Sequence, residues 1–402
     1  MKGRVIIMEM ALSGIRILGA TRLLAGPYAE TLLADMGAEV IRIELPVLGD
    51  GNRQAYPVIN GTGTAFLATN RNKKSITLDL RTLEGQKIFK ELVKQSDVVI
   101  ENNRPGTMAK WNIGYEQLKE IKPSIIMASI SAFGQTGLNS SRVGVDIVAQ
   151  AAGGLMSLTG MPGGPPLRVG SAIGDFLAGM NTVYGILTAL HYKEKTGLGQ
   201  YVDCALSDSI TAILENALQN YELLKIVPKR DGSHIVGVAP WNCYSAMDGY
   251  VVIGVSTDQL WARLVQVMGK VELLEDSRFE SSSSRVENVE TVDEIIQDWV
   301  EGKTVAEIVN MLADAGVPCS SVNDIAALFN DPQVMAREML VETEYPGVGK
   351  FKVVGVVPKL SLTPGKVYLP VPTLGQHTEE VLKGLLNYSD KEIKTLYEKG
   401  VI

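Results

Sequence analysis

The sequence predicts an α/β protein built on a parallel β-sheet, and two patterns along the chain support this. Residues 14–44 have the pattern of a strand, a helix and a second strand, a length typical of parallel strands joined by a right-handed crossover. Residues 75–130 repeat the pattern, with three apolar strands and a helix. We therefore predict that the N-terminal half forms a Rossmann-like domain, and 402 residues leave room for a second, smaller one.

In the first unit, residues 15–18 are apolar and β-branched, and residues 40–44 form the second strand. The helix predicted between them, over residues 25–39, has Pro27 in its first turn and Gly37 near its end, as helix termini prefer. The repeat of the pattern predicts strands over residues 75–80, 97–101 and 125–130 and a helix over residues 82–95.

A long helix is predicted over residues 175–195. Its apolar residues recur every three or four positions, Lys193 and Lys195 lie in its last turn, and Gly197 follows its end. A strand over residues 200–205 and a helix over residues 207–224 are predicted to follow.

The chain changes character after residue 225. Residues 229–233 have the composition of a linker, and residues 237–323 combine a hairpin-like stretch with helices and a polar surface loop, ESSSSRVENVET. This part predicts a smaller α+β domain. Proline-rich strands over residues 345–372 and helices over residues 378–386 and 390–399 complete the chain.

Composition argues against several classes of protein. A net charge of −7 argues against general nucleic-acid binding, which needs a clustered basic face. Three scattered cysteines and three histidines predict neither a disulfide framework nor a metal site. This cysteine usage predicts a reducing compartment, the cytoplasm. No apolar run is expected to span a membrane, and residues 1–10 are interpreted as a loose leader before the fold.

The turn after the first strand, from Gly19 to Pro27, is placed like a dinucleotide-binding loop, and Glu44 ends the second strand where such folds bind a ribose hydroxyl. The turn lacks the GxGxxG spacing, and the glycines of residues 61–66 lie in a loop. An NAD site is therefore not predicted. A tight turn leading into a helix explains the stretch, and the helix N-terminus would also suit a phosphate.

Basic residues cluster near the predicted strand ends, where α/β proteins bind ligands. They are Arg71, Lys73, Lys74, Arg81, Arg104 and Lys110. The residues themselves leave two interpretations open, an anion-binding site and an ordinary solvated surface.

Asp175 stands at the start of the long helix, after the small residues of GSAIG. Aspartate is a preferred N-cap residue, so the simplest interpretation is a helix cap. The same position suits a nucleophile, because a helix N-terminus favours an ionised carboxylate and the small residues leave room for a substrate. Both interpretations are open at this point.

Several stretches, in this order, resemble one family over residues 12–402. They include LLAGPYAETLLADMGAEVIRIE, NRNKKSITLDLRTLEG, DVVIENNRPGTMAKWNIGYEQL, GVDIVAQAAGG, GSAIGD, KTGLGQYVDCALSDS and LGQHTEEVL. The chain resembles the class III CoA-transferases, of the formyl-CoA and carnitine-CoA transferase type, a family that also includes the α-methylacyl-CoA racemases.

The resemblance implies an enzyme that moves CoA from an acyl-CoA to a free carboxylic acid and has no tightly bound cofactor. It implies that Asp175 is the catalytic nucleophile, acting through aspartyl anhydride and thioester intermediates. The CoA contacts it implies are Leu24, Ala25, Leu78, Arg81, Asn102, Asn103, Arg104 and Lys110.

The family's architecture implies a large domain built from both chain ends and a homodimer of interlocked rings. The chain then divides into the first part of the large domain (11–225), the small α+β domain (226–328) and the return to the large domain (329–402). Neither a nucleic acid nor a membrane is expected as a partner.

The chain departs from the family pattern at several places. Leu45 replaces a basic residue common after the second strand, and GSHIVGV at residues 232–238 lacks most of a glycine-rich flap, which argues against formate and oxalate as substrates. Gly144-Val145-Asp146 lacks the histidine of the racemases, so half of their acid/base pair is missing. A racemase-like isomerase, a non-catalytic CoA-binding paralogue and an acyl-CoA hydrolase are the alternative functions.

Other candidate residues keep two interpretations. Asp146 and Gln150 either line the site or cap helices, and Trp241 and Tyr244 either form an apolar wall for the acyl group or pack in a core. His377 is interpreted as a structural residue at a helix start rather than as a base.

Overall fold

The computed structural model describes residues 10–402, which form two compact units. The first unit contains the chain up to residue 156 together with residues 168–227 and 333–402, and the second contains residues 157–167 and 228–332. The sequence showed no sign of the short excursion over residues 157–167. Of the interpreted leader, only Met10 belongs to the described residues.

A sheet of six parallel strands forms the centre of the first unit. In chain order the strands are Arg16–Ala20, Glu39–Glu44, Lys73–Thr77, Val98–Glu101, Ile126–Ser131 and Tyr201–Ala205. Their order in space is third, second, first, fourth, fifth and sixth. The α/β class and the parallel sheet predicted from the sequence are confirmed.

Helices cover both faces of this sheet, so its strands are apolar along their length instead of alternating between apolar and polar residues. On one face Leu18 packs with Leu92, and on the other Ile17 packs with Ile186. The helices are Ala25–Asp35, Thr64–Ala68, Leu83–Lys94, Thr107–Lys110, Tyr115–Ile121, Asp146–Ala152, Ile173–Thr196, Leu206–Thr211, Ala217–Leu224, Thr378–Leu386 and Asp390–Glu398.

Smaller elements complete the first unit. They are the strand pairs Val58–Ile59 with Thr62–Gly63 and Leu340–Tyr345 with Gly349–Val354, and the 3-10 helix Gly51–Arg53. The short helices Leu155–Leu158 and Pro332–Ala336 lie where the chain passes from one unit to the other.

The second unit contains an antiparallel sheet with a helical layer. The strands are Trp241–Ala246, Gly249–Gly254 and Cys319–Ser321, and the second lies in the middle. The helices are Asp258–Met268, Ser282–Glu287, Val289–Val300, Val305–Asp314 and Ile325–Leu328, with a 3-10 helix at Val271–Leu274. Val251, Trp261 and Ile296 belong to its apolar core.

The helix predicted over residues 207–224 is divided in the structure. It forms the helices Leu206–Thr211 and Ala217–Leu224. Between them, Glu215 has a left-handed backbone with φ of 50°, which an α-helix cannot continue through. The apolar spacing alone did not reveal this turn.

The polar stretch ESSSSRVENVET, predicted to be a surface loop, contains the helix Ser282–Glu287. Ser281 caps this helix, because its hydroxyl accepts a hydrogen bond from the backbone N of Ser284. Arg285 is completely buried and donates to the backbone O of Ala239 at 3.1 Å. The arginine therefore anchors a segment whose composition alone predicted a loop.

The helix Ile173–Thr196 is long and apolar enough to cross a membrane by length and composition alone. The expectation that the chain has no such segment is therefore wrong by that criterion. The finding is weak evidence for a membrane span, since a core helix of a soluble protein meets the same criterion. One side of the helix packs on the sheet through Ala178 and Ile186, and Met180 and Tyr184 are exposed.

Candidate active site

A cluster of buried charged side chains supports the turn over residues 21–24, which follows the strand Arg16–Ala20. Arg42 is completely buried, and its guanidinium binds the carboxylates of Glu30 (Nη1–Oε2 3.1 Å) and Asp50. Lys73 is also buried, with its Nζ 3.1 Å from Glu30 Oε2 and 2.7 Å from Pro27 O. Burial is the main reason that the pKa of Lys73 falls to about 8. Two cations and two anions thus neutralise one another inside the protein.

Gly19, near the end of the strand Arg16–Ala20, makes room for this cluster. A Cβ atom at Gly19 would collide with the carboxylate of Glu30. Glu44, the residue placed like a ribose ligand, accepts hydrogen bonds from Arg53 Nε and Nη2 at 2.7 Å each. Residues that resemble part of a nucleotide-binding loop therefore have structural roles.

The first turn, residues 21–24, is held from two sides. Asp50 accepts a hydrogen bond from Leu23 N at 3.1 Å, and Asn52 Nδ2 donates to Leu23 O at 2.7 Å. Asn102 accepts from Arg22 N at 2.7 Å and donates to Arg22 O at 2.8 Å. Leu23 has a left-handed backbone (φ 62°), a costly conformation for leucine that these bonds maintain.

The basic stretch over residues 71–74 does not form an anion site. Arg71 binds Asp35 (Nη2–Oδ2 2.7 Å), Lys74 binds Glu39 (Nζ–Oε1 3.0 Å), and Lys73 belongs to the buried cluster. The anion-site interpretation of these three residues is wrong, because acidic side chains from elsewhere in the chain neutralise them.

A cavity of about 680 Å³ opens at the carboxyl ends of the central strands, where α/β sheets bind their ligands. It is lined by five of the expected CoA contacts, Leu78, Arg81, Asn102, Asn103 and Arg104. Arg22 and Trp111 also line it, and the sequence analysis did not single them out. This large cavity is wide enough for an extended, charged ligand.

A small cavity, of about 160 Å³, adjoins the large one. Four residues line both: Leu23, Asn102, Asn103 and Arg104. Leu24, Ala25 and Asp175 also line the small cavity. The two cavities therefore offer an elongated ligand a path from Arg81 to Asp175. Lys110 lines neither of them.

Asp175 is the third residue of the helix Ile173–Thr196, whose N-cap position is occupied by Ala172. Asp146 supplies the capping bond instead, since its Oδ1 accepts a hydrogen bond from Gly174 N at 2.8 Å. The interpretation of Asp175 as the helix cap is therefore wrong. A capping carboxylate from another helix leaves Asp175 free to line the small cavity.

Gln150 completes the support of the loop before this helix. It is fully buried, its Nε2 donates to Asp146 Oδ2 at 2.7 Å, and its Oε1 accepts from Val169 N at 2.9 Å. Neither Gln150 nor Asp146 lines the small cavity. Of the two interpretations left open for this pair, the structure therefore supports the structural one.

Burial raises the pKa of Asp175 to about 7, and the negative charge of Asp146 adds to the shift. The expectation that the helix N-terminus keeps this carboxylate ionised is therefore wrong for the free protein below neutral pH. Strongly shifted carboxyl groups in cavities are typical of catalytic sites.

Arg142 is a lining residue of the small cavity that the sequence analysis missed. It lies in the loop that follows the strand Ile126–Ser131, and its side chain is exposed. The only sequence signal was a positive charge four residues before Asp146, and an isolated arginine in a loop is usually a solvated surface residue.

The other candidates have structural contacts. His377 Nδ1 accepts a hydrogen bond from Ser75 N at 3.1 Å, and burial lowers the pKa of His377. Tyr244 is buried in the second unit, where its hydroxyl donates to Asp293 at 2.6 Å. Trp241 lines a cavity of about 330 Å³ within the second unit.

Among residues 10–402, no group of three or more His, Cys, Asp or Glu side chains is placed to hold a metal ion.

Two adjoining cavities, the smaller of which is lined by Asp175, suit a thioester with a long, charged leaving group. The chain matches the model of CoA-transferase family III over residues 12–378, and it belongs to that family. The resemblance noted in the sequence motifs is confirmed, and the protein is a CoA-transferase of this family.

Relatives match almost the whole chain. The β subunit of succinyl-CoA–L-malate CoA-transferase from Chloroflexus aurantiacus is 39% identical over 398 residues, 98% of each chain. Human succinyl-CoA:glutarate CoA-transferase is 38% identical over 392 residues, 97% of this chain and 90% of its own. The crystal structure of a CaiB/BaiF family protein from Brucella suis has a TM-score of 0.84 and 34% identity, covering 94% of this chain and 100% of its own.

The raised pKa of Asp175 predicts a pH-dependent effect on stability. Between about pH 4 and pH 7 the unfolded chain releases the Asp175 proton and the folded chain keeps it, so this residue destabilises the fold progressively as pH rises. We expect Asp175→Asn to raise the free energy of unfolding at pH 7.5 by about 1–3 kcal/mol, a value reduced for partial exposure of the side chain.

Urea unfolding at several pH values measures this effect, with Asp314→Asn, at an exposed position, as the control. The gain should shrink as pH falls and approach zero below about pH 3, where the wild-type side chain is neutral in the unfolded state as well as in the folded state. A gain that is constant across this pH range would contradict the assigned pKa.

Proposed function

We propose that this protein transfers CoA from an acyl-CoA to a free carboxylic acid with Asp175 as the nucleophile. The observation that carries the proposal is the position of Asp175, which lines the small cavity together with Leu24 and Ala25. In the proposed complex the CoA phosphates lie near Arg81 and Arg104 in the large cavity, and the thioester lies near Asp175.

The first half of the reaction releases the donor acid. The ionised Asp175 attacks the thioester carbonyl, a mixed anhydride forms, and CoA leaves as a thiolate. The thiolate then attacks the aspartyl carbonyl, which expels the donor acid and leaves an aspartyl-CoA thioester on Asp175. A pKa of about 7 provides enough ionised carboxylate at neutral pH while keeping it basic.

The second half repeats these steps in reverse with the acceptor. The acceptor carboxylate attacks the aspartyl thioester, and the released thiolate attacks the acceptor carbonyl of the new anhydride. Acyl-CoA of the acceptor leaves, and the Asp175 carboxylate is restored. Each attack places negative charge on a carbonyl oxygen, and the unpaired backbone N–H groups that begin the helix at Ala25 are suitable donors to it.

We further propose that the acids exchanged are dicarboxylic acids. The names of the relatives describe transfer between succinyl-CoA and malate or glutarate, which are all short dicarboxylic acids. The volume of the small cavity, about 160 Å³, suits an acyl group of this size.

The racemase alternative is not favoured by the geometry around Asp146. A racemase needs a free acid/base pair at the carbon next to the thioester. Asp146 is occupied by its bonds to Gly174 N and Gln150 Nε2, and no histidine lines the small cavity. Transfer is therefore the proposed reaction.

Asp175→Asn tests the proposed nucleophile. The change keeps the size of the side chain and removes the attacking oxygen anion, so we expect CoA transfer from succinyl-CoA to glutarate to fall by at least about 10³-fold, a loss typical for a covalent nucleophile. Folding and CoA affinity should persist. Chromatography of the acyl-CoA products, with Asp314→Asn as the control, measures transfer, and it separates transfer from hydrolysis and from inactive CoA binding.

Arg104→Gln tests the proposed CoA orientation, because Arg104 lines both cavities. Loss of a charge-assisted contact to a phosphate should weaken CoA binding at least about tenfold, as measured by calorimetry. Arg337→Gln, at an exposed position outside both cavities, should not change the affinity. Unchanged CoA affinity in Arg104→Gln would show that the phosphates bind elsewhere. The CoA contact at Lys110 stays a prediction, and Lys110→Gln tests it in the same assay.

We propose, from the family resemblance, a Rossmann-like large domain, a homodimer of interlocked rings and a cytoplasmic location. Exposed apolar side chains on the helix Ile173–Thr196 support a partner surface: Met180 is 52% exposed and Tyr184 is 73% exposed. Sedimentation of the purified chain at nanomolar concentration should show a dimer. A folded monomer would contradict the proposal and favour a second kind of subunit.

A further inference from the structure

Arg142 and Asp175 line the same small cavity, and the mechanism above leaves Arg142 without a role. The other arginine of this cavity, Arg104, also lines the large cavity, where the CoA phosphates are proposed to bind. Arg142 lines only the small cavity. Its charge is therefore presented to the acyl end of the substrate rather than to CoA.

The guanidinium of Arg142 is available to a ligand. Its nearest polar contact is a long one, from Nη1 to Asn139 Oδ1 at 3.4 Å, and its guanidinium carbon lies 5.6 Å from the centre of the Phe133 ring. Within residues 10–402, no carboxylate forms an ion pair with Arg142. The ring orients the side chain, and apart from the long contact to Asn139 the guanidinium of Arg142 has donors available to a ligand.

The charge balance of the small cavity points to an anionic ligand. Its charged lining residues are Arg104, Arg142 and Asp175, so the cations outnumber the anions even when Asp175 is ionised. A planar guanidinium binds a carboxylate through two parallel hydrogen bonds. In a dicarboxylic acyl group, the only negative charge beyond the thioester is the remote carboxylate.

We propose that Arg142 binds the remote carboxylate of a dicarboxylic acyl group and makes the enzyme selective for such substrates. This inference rests on the proposed function, because it assigns the thioester to Asp175. The residue orients the acyl group for attack and takes no part in bond making.

A pair of substrates that differ only in the remote group tests the assignment. Succinyl-CoA and butyryl-CoA have four-carbon acyl groups that end in a carboxylate and a methyl group. Arg142→Gln should lower kcat/KM for succinyl-CoA by about 10- to 100-fold, the usual effect of losing a charge-assisted contact, and leave kcat/KM for butyryl-CoA within about twofold. Arg142→Lys should restore part of the selectivity, and Arg337→Gln should match the wild type.

Equal losses with both substrates would overturn the proposal, because Arg142 would then serve the reacting carbonyl or the fold. Unchanged selectivity in Arg142→Gln would overturn it as well. Thermal unfolding of each variant identifies a folding defect, which is not expected for an exposed side chain.

Binding measurements keep this test separate from the test of the proposed function. In an Asp175→Asn background, calorimetry gives Kd for succinyl-CoA and butyryl-CoA without turnover. The ratio of the two Kd values should favour succinyl-CoA by about 10- to 100-fold and collapse when Arg142→Gln is added. If the wild type transferred no CoA at all, the proposed function would fail, and this ratio would still decide the role of Arg142.

Discussion

The buried ion cluster around Arg42 is the interaction on which the rest of the site depends. Arg42 and Lys73 are enclosed beneath the first turn, where leaving either cation without Glu30 or Asp50 would carry a large desolvation cost. Asp50 also accepts the backbone N–H of Leu23, so the cluster and the strained turn stabilise each other. The buried ion pairs therefore help to fix the position of Leu23, which lines both cavities.

The helix that follows this turn, Ala25–Asp35, packs closely against the helix Ile173–Thr196, which contains Asp175. Gly179 lies four residues after Asp175 in this helix. It approaches the helix Ala25–Asp35 so closely that a Cβ atom at Gly179 would lie 2.9 Å from Ala25 O. The capping bond from Asp146 to Gly174 N fixes the start of the helix from the other side. Asp175 is thus positioned by backbone contacts, while its carboxyl group remains partly desolvated and its pKa is raised.

The sequence predicted the parallel sheet well, because strands covered on both faces carry an unmistakable apolar pattern. For Asp175 the sequence left a helix cap and a nucleophile open and favoured the cap, whereas in the structure Asp146 caps the helix and Asp175 lines the small cavity. The true cap, Asp146, is 28 residues away from Gly174, and such a contact has no local signature. Lys73 was misinterpreted for the same reason, since its partner Glu30 lies 43 residues earlier. Arg142 was missed because it differs from other exposed arginines only in lining the same cavity as Asp175. The two residues come together only in the folded chain.

In the proposed mechanism the CoA group passes through a covalent bond to Asp175, and the oxygen atoms of the acceptor acid can reveal whether that bond forms. If the acceptor attacks an aspartyl-CoA thioester, one of its carboxylate oxygens remains on Asp175 when the new acyl-CoA leaves. Turnover with an acceptor acid labelled with a heavy oxygen isotope, followed by mass spectrometry of the peptide that contains Asp175, measures this transfer. With the covalent mechanism, we expect label in the Asp175 carboxyl group that increases with turnover. Active transfer with no label on Asp175 would contradict it.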